Sequence, residues 1–305
     1  MNKDICFFDG YIYDKNTILI LASSETLEQE ESNHCFLCLL KDGEWQIKYE
    51  DIEVIKACIL SIEGELSLIM IGTTGDVIEG DKNGFNYKLI DTTEERPNWL
   101  RQLNDLKIIG QYIYAVGMKR QVFRRPINLS KWQRCDTGVL VTRESKEIAG
   151  FLSIDGLSES EVYAVGYGGQ IWNFNGIAWQ QIDSPTNLML ESILCIDNNY
   201  LIAAGAEGVI LKGRHNLWNV IEQDSITETI LDIETLNGLI YLSTEDGIYT
   251  LEENHVQKVD IGLDGDISTG KLHGNGKCIL SIGENHVVLF DGEKWKEIIM
   301  PEIEI

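Results

Sequence analysis

The chain has 305 residues, enough to bury a large core, and carries 49 acidic residues against 25 Lys and Arg, a formal charge of -24. So acidic an average surface repels nucleic-acid phosphates and anionic lipid heads, which argues against both as partners and favours a protein with a basic surface. The opening MNKDICFFDG lacks the features of a secretory signal, and no run approaches the ~20 apolar residues that span a bilayer.

The clearest organising stretch is residues 161–182, EVYAVGYGGQIWNFNGIAWQQI: a strand ending in a small residue, a tight turn, a second strand, another turn, then an aromatic opening a third. The same frame places Trp45, Tyr87, Trp132, Trp179, Trp218, Val256 and Trp295 at intervals of 42, 45, 47, 39, 38 and 39 residues. A period near forty with short strands and Gly-rich turns predicts an all-β chain, a single seven-bladed β-propeller of mainly four-stranded antiparallel blades. The expected single domain spans 1-305, with blades near 1-50, 51-91, 100-136, 147-184, 188-224, 227-261 and 267-300.

In the first blade, residues 5–22 alternate apolar runs with the turn-prone pairs Asp9-Gly10 and Lys15-Asn16. SSETLEQEESN, residues 23–33, reads as an acidic loop inserted before the strand CFLCLLK. Blade two turns at Glu63-Gly64 and at the hairpin pair Asn83-Gly84. TEERPNWLRQ, residues 93–102, is a polar interruption holding Trp99 outside the frame, either as a cap on the core or as an apolar contact. Lys119, Arg120, Arg124, Arg125, Lys131 and Arg134 make blade three a basic island. Blade four is the best copy of the repeat, and blade six replaces the aromatic by Val256. After Trp295 the chain ends on MPEIEI, so closure requires either packing of blade one on blade seven or pairing of IEI with an N-terminal strand.

Cys6, Cys35, Cys38, Cys58, Cys135, Cys195 and Cys278 lie mostly in apolar strand-like runs, where free thiols act as small hydrophobes. Their odd number and the absence of a signal segment make the cytoplasm the expected location.

YIYAVG at 112–117, VYAVGYGGQIWNFNGIAW at 162–179 and VVLFDGEKW at 287–295 resemble bacterial β-propellers of the broad WD40/YVTN/BNR-like class, including photosystem-assembly-like propellers. The resemblance covers nearly the whole chain and implies architecture rather than activity, because the class holds scaffolds, assembly factors, binding proteins and some enzymes. Regular GH and WD pairs are missing, as is the Ser-x-Asp-x-Gly-x-Thr-Trp box of sialidase-like propellers.

No motif organises a reaction. His34, Cys35 and Cys38 are the most metal-like cluster, but no second Cys/His pair completes a set of four ligands. AVGYGG lacks the helix and lysine of a phosphate loop, so its glycines are assigned to a β-turn. No cofactor or metal is expected. The loops joining second to third strands and the links between blades share one face in a propeller, and here both sets are rich in acids. Glu94, Glu95, Trp99, Lys119, Arg120, Tyr167, Glu207, Asp224, Glu245, Asp246 and Glu284 are the candidate partner-binding residues. The expected function is a non-catalytic module, monomeric before it binds a basic protein, acting as a toxin-neutralising immunity protein or an assembly factor. The alternative is a propeller enzyme acting on a carbohydrate or other small substrate through carboxylates near the central channel.

Overall fold

The structure is a computed structural model and describes residues 4–62, 65–81, 84–90 and 102–303. The fold class read from the sequence is the one observed: seven four-stranded sheets, each an antiparallel meander in which sequence neighbours pair. Their strands run over 5–50, 54–89, 103–134, 151–182, 190–220, 232–258 and 271–297, and together they form a seven-bladed β-propeller. The chain divides into two compact units. Unit 1, residues 1–54 with 223–305, holds blades one, six and seven, and unit 2, residues 55–222, holds blades two to five.

The strand types follow from burial. Second strands are covered on both faces, so they read as unbroken apolar runs; Val162, Tyr163, Ala164 and Val165 are all fully buried. Outer strands meet solvent and keep only isolated buried positions, as in Trp179–Ile182, where the two glutamines are exposed between buried Trp179 and Ile182. The apolar cores lie between adjoining blades. Phe151, Phe174 and Trp179 cluster where blade four meets blade three, and Tyr163, Leu211 and Trp218 where blade four meets blade five.

In four blades the frame residue of the outer strand sits directly across its hairpin: Trp45 faces Leu40, Trp179 faces Phe174, Val256 faces Leu251 and Trp295 faces Phe290. Blade two corrects the sequence frame. There Phe85, not Tyr87, holds this position, facing Gly80, while Tyr87 lies two residues on and is 50% exposed. The glycine makes room for the ring, since an added Cβ at Gly80 would lie 2.2 Å from Phe85. Blade five repeats the device with Gly213 beneath Trp218.

Two further expectations change in the first blade. Asp9-Gly10 is no turn: the inner strand runs unbroken over Ile5–Asp14, with an irregular register between Phe7 and Asp9. Gly10 is required by crowding, as a Cβ there would lie 2.4 Å from the Leu19 carbonyl oxygen and 2.7 Å from Ile282 Cδ1. The acidic insertion contains a one-turn helix, Glu25–Gln29. Ser24 Oγ accepts from the Leu27 N–H, and the Asp4 carboxylate accepts from Ser24 Oγ and from the Thr26 N–H and hydroxyl.

Of the two closures open to the sequence, direct packing is observed within unit 1. Phe7 N–H donates to the Glu284 carbonyl at 2.9 Å, and Asn275 Nδ2 donates to the Tyr13 carbonyl at 3.1 Å. Ile303 is buried in the core shared by blades one and seven, while 304–305 lie outside the described residues.

One interaction recurs between blades. Asp155 on the inner strand of blade four accepts the N–H of Gly156 through one oxygen and the N–H of Cys195, forty residues on in blade five, through the other. Asp105 does the same for Leu106 and Ile154, Asp232 for Ile233 and Leu272, and Glu234 for Thr235 and Gly274. Arg214 of blade five adds a two-pronged ion pair to Glu161 of blade four, both bonds at 2.8 Å.

Removing Asp155 strands two partly buried donors. Asp155→Ala is expected to cost about 2–4 kcal/mol in urea denaturation. Asp155→Asn, which keeps an acceptor oxygen, is expected to cost about half as much.

Candidate functional site

In both units the turns between second and third strands hydrogen-bond to the links between blades. In unit 2 the Met118 N–H donates to the Gln102 carbonyl, Lys119 N–H to Ala149 and Ala206 N–H to Met189. In unit 1 the Thr269 N–H donates to the Glu245 carbonyl, and the Asn285 N–H to Ser268 Oγ. The two sets of loops therefore share an edge, as the propeller reading requires.

In blades three to five these turns have one geometry. The carbonyls of Met118, Tyr167 and Ala206 accept the N–H three residues on, and the two residues between have positive φ. Blade four meets this demand with Gly168 and Gly169, at φ 65 and 68, and blade five with Glu207 and Gly208. Blade three places Lys119 and Arg120 there, at φ 61 and 58, so its backbone carries strain that the side chains must offset.

They do so by holding the long link to blade four. Lys119 Nζ donates to the carbonyls of Ser145, at 3.4 Å, and Glu147, at 3.1 Å. Arg120 is buried, pairs with the Glu147 carboxylate, donates to Gln170 at 2.9 Å and lies 5.1 Å from the centre of the Trp172 ring. The remaining arginines of the basic island are engaged in the same way. Arg124 lies over Tyr112 and Phe174, Arg125 is buried against Glu79 and Trp132, and Arg134 pairs with Asp136 at 2.6 Å. The basic sector expected from the sequence is therefore largely tied up in contacts within the chain, although only Arg120 and Arg125 are buried.

Among the other candidates of unit 2, Tyr167 is half-buried and Glu207 is exposed. In unit 1, Asp224, Glu245, Asp246 and Glu284 are all exposed. Their edge also carries exposed Glu25, Glu28, Asp260, Asp264 and Asp266, against Lys258 and Lys271, which donate to the carbonyls of Asp246 and Leu231. Glu94, Glu95 and Trp99 lie outside the described residues. The sequence reading missed Glu147, Gln170 and Trp172, which meet Arg120 only because the 118–120 turn, the 135–150 link and the third strand of blade four fold together.

The Asp4 carboxyl is held below the usual carboxylate range, chiefly by its bonds from Ser24 and Thr26. Cys6 has its thiol pushed up to about 12 by burial, with Glu25, Glu284 and Glu28 adding to the effect. Its sulfur and the carboxylates of Glu25 and Glu284 lie within 4.8 Å of one another, an exposed acidic grouping that no further feature turns into a metal site. His34 is occupied structurally, and Cys35 and Cys38 are buried thiols raised by desolvation.

Ser268 Oγ lies 3.1 Å from His286 Nδ1. The Ser268 N–H points at the same nitrogen at 3.1 Å, and the described residues place no carboxylate on Nε2, so the pair lacks the third group that orients a catalytic base. A cleft of about 500 Å3 opens between blades two and three, lined by Leu60, Ile69, Phe85, Ile127 and Leu129 around Glu79 and Arg125. None of the candidate residues lines it.

No protein-family model matches the chain. It is 28% identical over 294 residues to a protein of Pseudomonas aeruginosa named immune protein Tsi7, the alignment covering 95% of each. Among solved structures it is similar to the WD40 β-propeller domain of Doa1, with TM-score 0.69 and 14% identity over 96% of this chain and 95% of that one. It is also similar to YCF48 bound to D1 peptide, with TM-score 0.65 and 13% identity over 95% and 92% of the two chains. These two likenesses establish the propeller fold.

The shared turn predicts a graded response in blade four. Gly168→Ala, with open space around its Cβ, is expected to cost about 1 kcal/mol for the left-handed backbone alone. Gly169→Ala would set a Cβ 2.2 Å from the Thr186 carbonyl oxygen, and is expected to cost about 2–4 kcal/mol by urea denaturation.

Proposed function

We propose that this chain is a non-catalytic protein-binding module, and that its role is that of an immunity protein which binds and neutralises a toxin. The observation that carries the reading is the end-to-end similarity to a protein named for immunity. A propeller neighbour solved with a bound peptide supports it at the level of what the fold can do.

The binding mode follows from the loop edges. In unit 1, Asp224, Glu245, Asp246 and Glu284 present carboxylates that attract a basic surface and set its register. In unit 2, Tyr167 offers an aromatic side chain for a desolvated contact and Glu207 an exposed carboxylate, while Lys119 and Arg120 hold the link between blades three and four. Glu94, Glu95 and Trp99 belong to the same proposal on sequence grounds. The protein is a cytoplasmic monomer before it meets its partner in this reading.

Affinity capture coupled to mass spectrometry, at about 50 mM and about 300 mM salt, tests the proposal. The expected partner is a basic protein whose capture falls at the higher salt, and whose toxicity in cells is suppressed by co-expression of this chain. Reversing Glu245, Asp246 and Glu284 to Lys is expected to weaken capture roughly tenfold or more. Reversing exposed Glu252 and Glu293, at turns on the other edge of their blades, is expected to leave it unchanged. Salt-independent capture, or turnover of a metabolite by the purified protein, would sink the reading.

A further inference from the structure

Three of the five histidines use a ring nitrogen to accept a backbone N–H, and all three stand in unit 1. The Ser24 N–H donates to His34 Nε2 at 2.7 Å, while His34 Nδ1 donates to the Ser32 carbonyl at 2.7 Å. The Ile12 N–H donates to His273 Nδ1 at 3.2 Å, and the Ser268 N–H to His286 Nδ1 at 3.1 Å. A backbone N–H can only donate, so each of these nitrogens is bare and each ring is neutral.

Each ring fastens a different part of one unit. His34 closes residues 24–34, which carry the acidic helical turn; His286 joins the 259–270 link to the 283–286 turn; His273 joins blade seven to blade one, 3.9 Å from the Tyr11 ring. A second proton would set N–H against N–H at Ser24 and Ile12, and at His286 it would turn Nδ1 into a donor to Ser268 Oγ and deprive the Ser268 N–H of its acceptor; imidazole is the side chain that changes charge between about pH 5 and 8. The groups around the joints are mainly acidic. Asp4 acts on His34, Glu234 bonds the Gly274 N–H beside His273, and Glu284 and Asp266 flank His286 and Ser268, while Lys271 shares a strand with His273. A protonated ring would therefore find counter-charges nearby.

We propose that these three neutral rings form a pH-sensitive clasp, which releases the acidic loops of unit 1 when the medium becomes mildly acidic. A bond made only by the neutral ring stabilises the folded unit at high pH and is lost as pH falls. Unit 2 has no such joint among its described residues: its histidine, His215, is exposed, with Nδ1 3.6 Å from the Glu161 carboxylate. The effect on partner capture rests on the function proposed above, whereas the clasp itself is measured on the protein alone.

Amide hydrogen exchange at about pH 7.5 and about pH 5.5, corrected for intrinsic rates, tests it. The amides of Ile12, Ser24 and Ser268 are expected to lose roughly fivefold or more of their protection at the lower pH, while 162–174 and 201–213 hold theirs. His34→Gln, His273→Asn and His286→Asn place a carboxamide oxygen near the lost acceptor without titrating. The triple variant is expected to show no such pH response, and each single variant to lose it at its own joint. Equal loss in both units, unchanged protection at the three joints of the wild type, or a full pH response in the variants overturns the clasp. A clasp that responds while partner capture stays constant with pH overturns only its link to binding.

Discussion

The inner-strand carboxylate that accepts one N–H from its own strand and one from the next blade is the contact on which the rest of each unit depends. A propeller blade is a meander whose ladder bonds run between its own strands, so nothing in those ladders specifies how it meets its neighbour. Apolar packing between blades is strong but weakly directional. Asp105, Asp155, Asp232 and Glu234 supply the direction, each fixing the neighbouring inner strand to within a hydrogen bond. His273 does the equivalent work at the seam of blades seven and one, accepting the Ile12 N–H.

That device alters the meaning of the acidic composition. Asp105, Asp155 and Asp136 are buried, and Glu79, Glu147 and Glu161 are paired with arginines, so part of the charge imbalance belongs to the architecture. The acids left exposed in unit 1 face few cations along their edge, whereas unit 2 has Lys119 and Arg120 tying its own link. On this contrast rests the proposal that electrostatic recognition falls to the unit 1 edge. The same contrast explains why blade three, conspicuous in sequence for its arginines, offers less free positive charge than their number suggests.

The turn between second and third strands illustrates how a single backbone geometry is filled by different chemistry. Two successive left-handed residues suit Gly168-Gly169, tolerate Glu207-Gly208, and strain Lys119-Arg120. Where glycine is absent, the side chains reach the Glu147 carbonyl and carboxylate and so convert strain into an anchor for the link. Local strain and long-range attachment thus coincide in one pair of residues.

The repeat near forty residues, the Gly-rich turns and the recurring aromatic seen at Trp179 determined the fold class, the number of blades and the order of strands, because these depend on neighbours within one hairpin. Blade two shows the limit: choosing Tyr87 over Phe85 followed from counting aromatics, whereas the hairpin register, closed across Gly80, decided which ring covers the sheet. The burial of Arg120, its meeting with Glu147 and Trp172, and the capture of backbone N–H groups by His34, His273 and His286 were decided by tertiary structure alone. Those contacts join segments from ten to more than two hundred residues apart, and no local pattern records which donor will face which acceptor once the blades have packed.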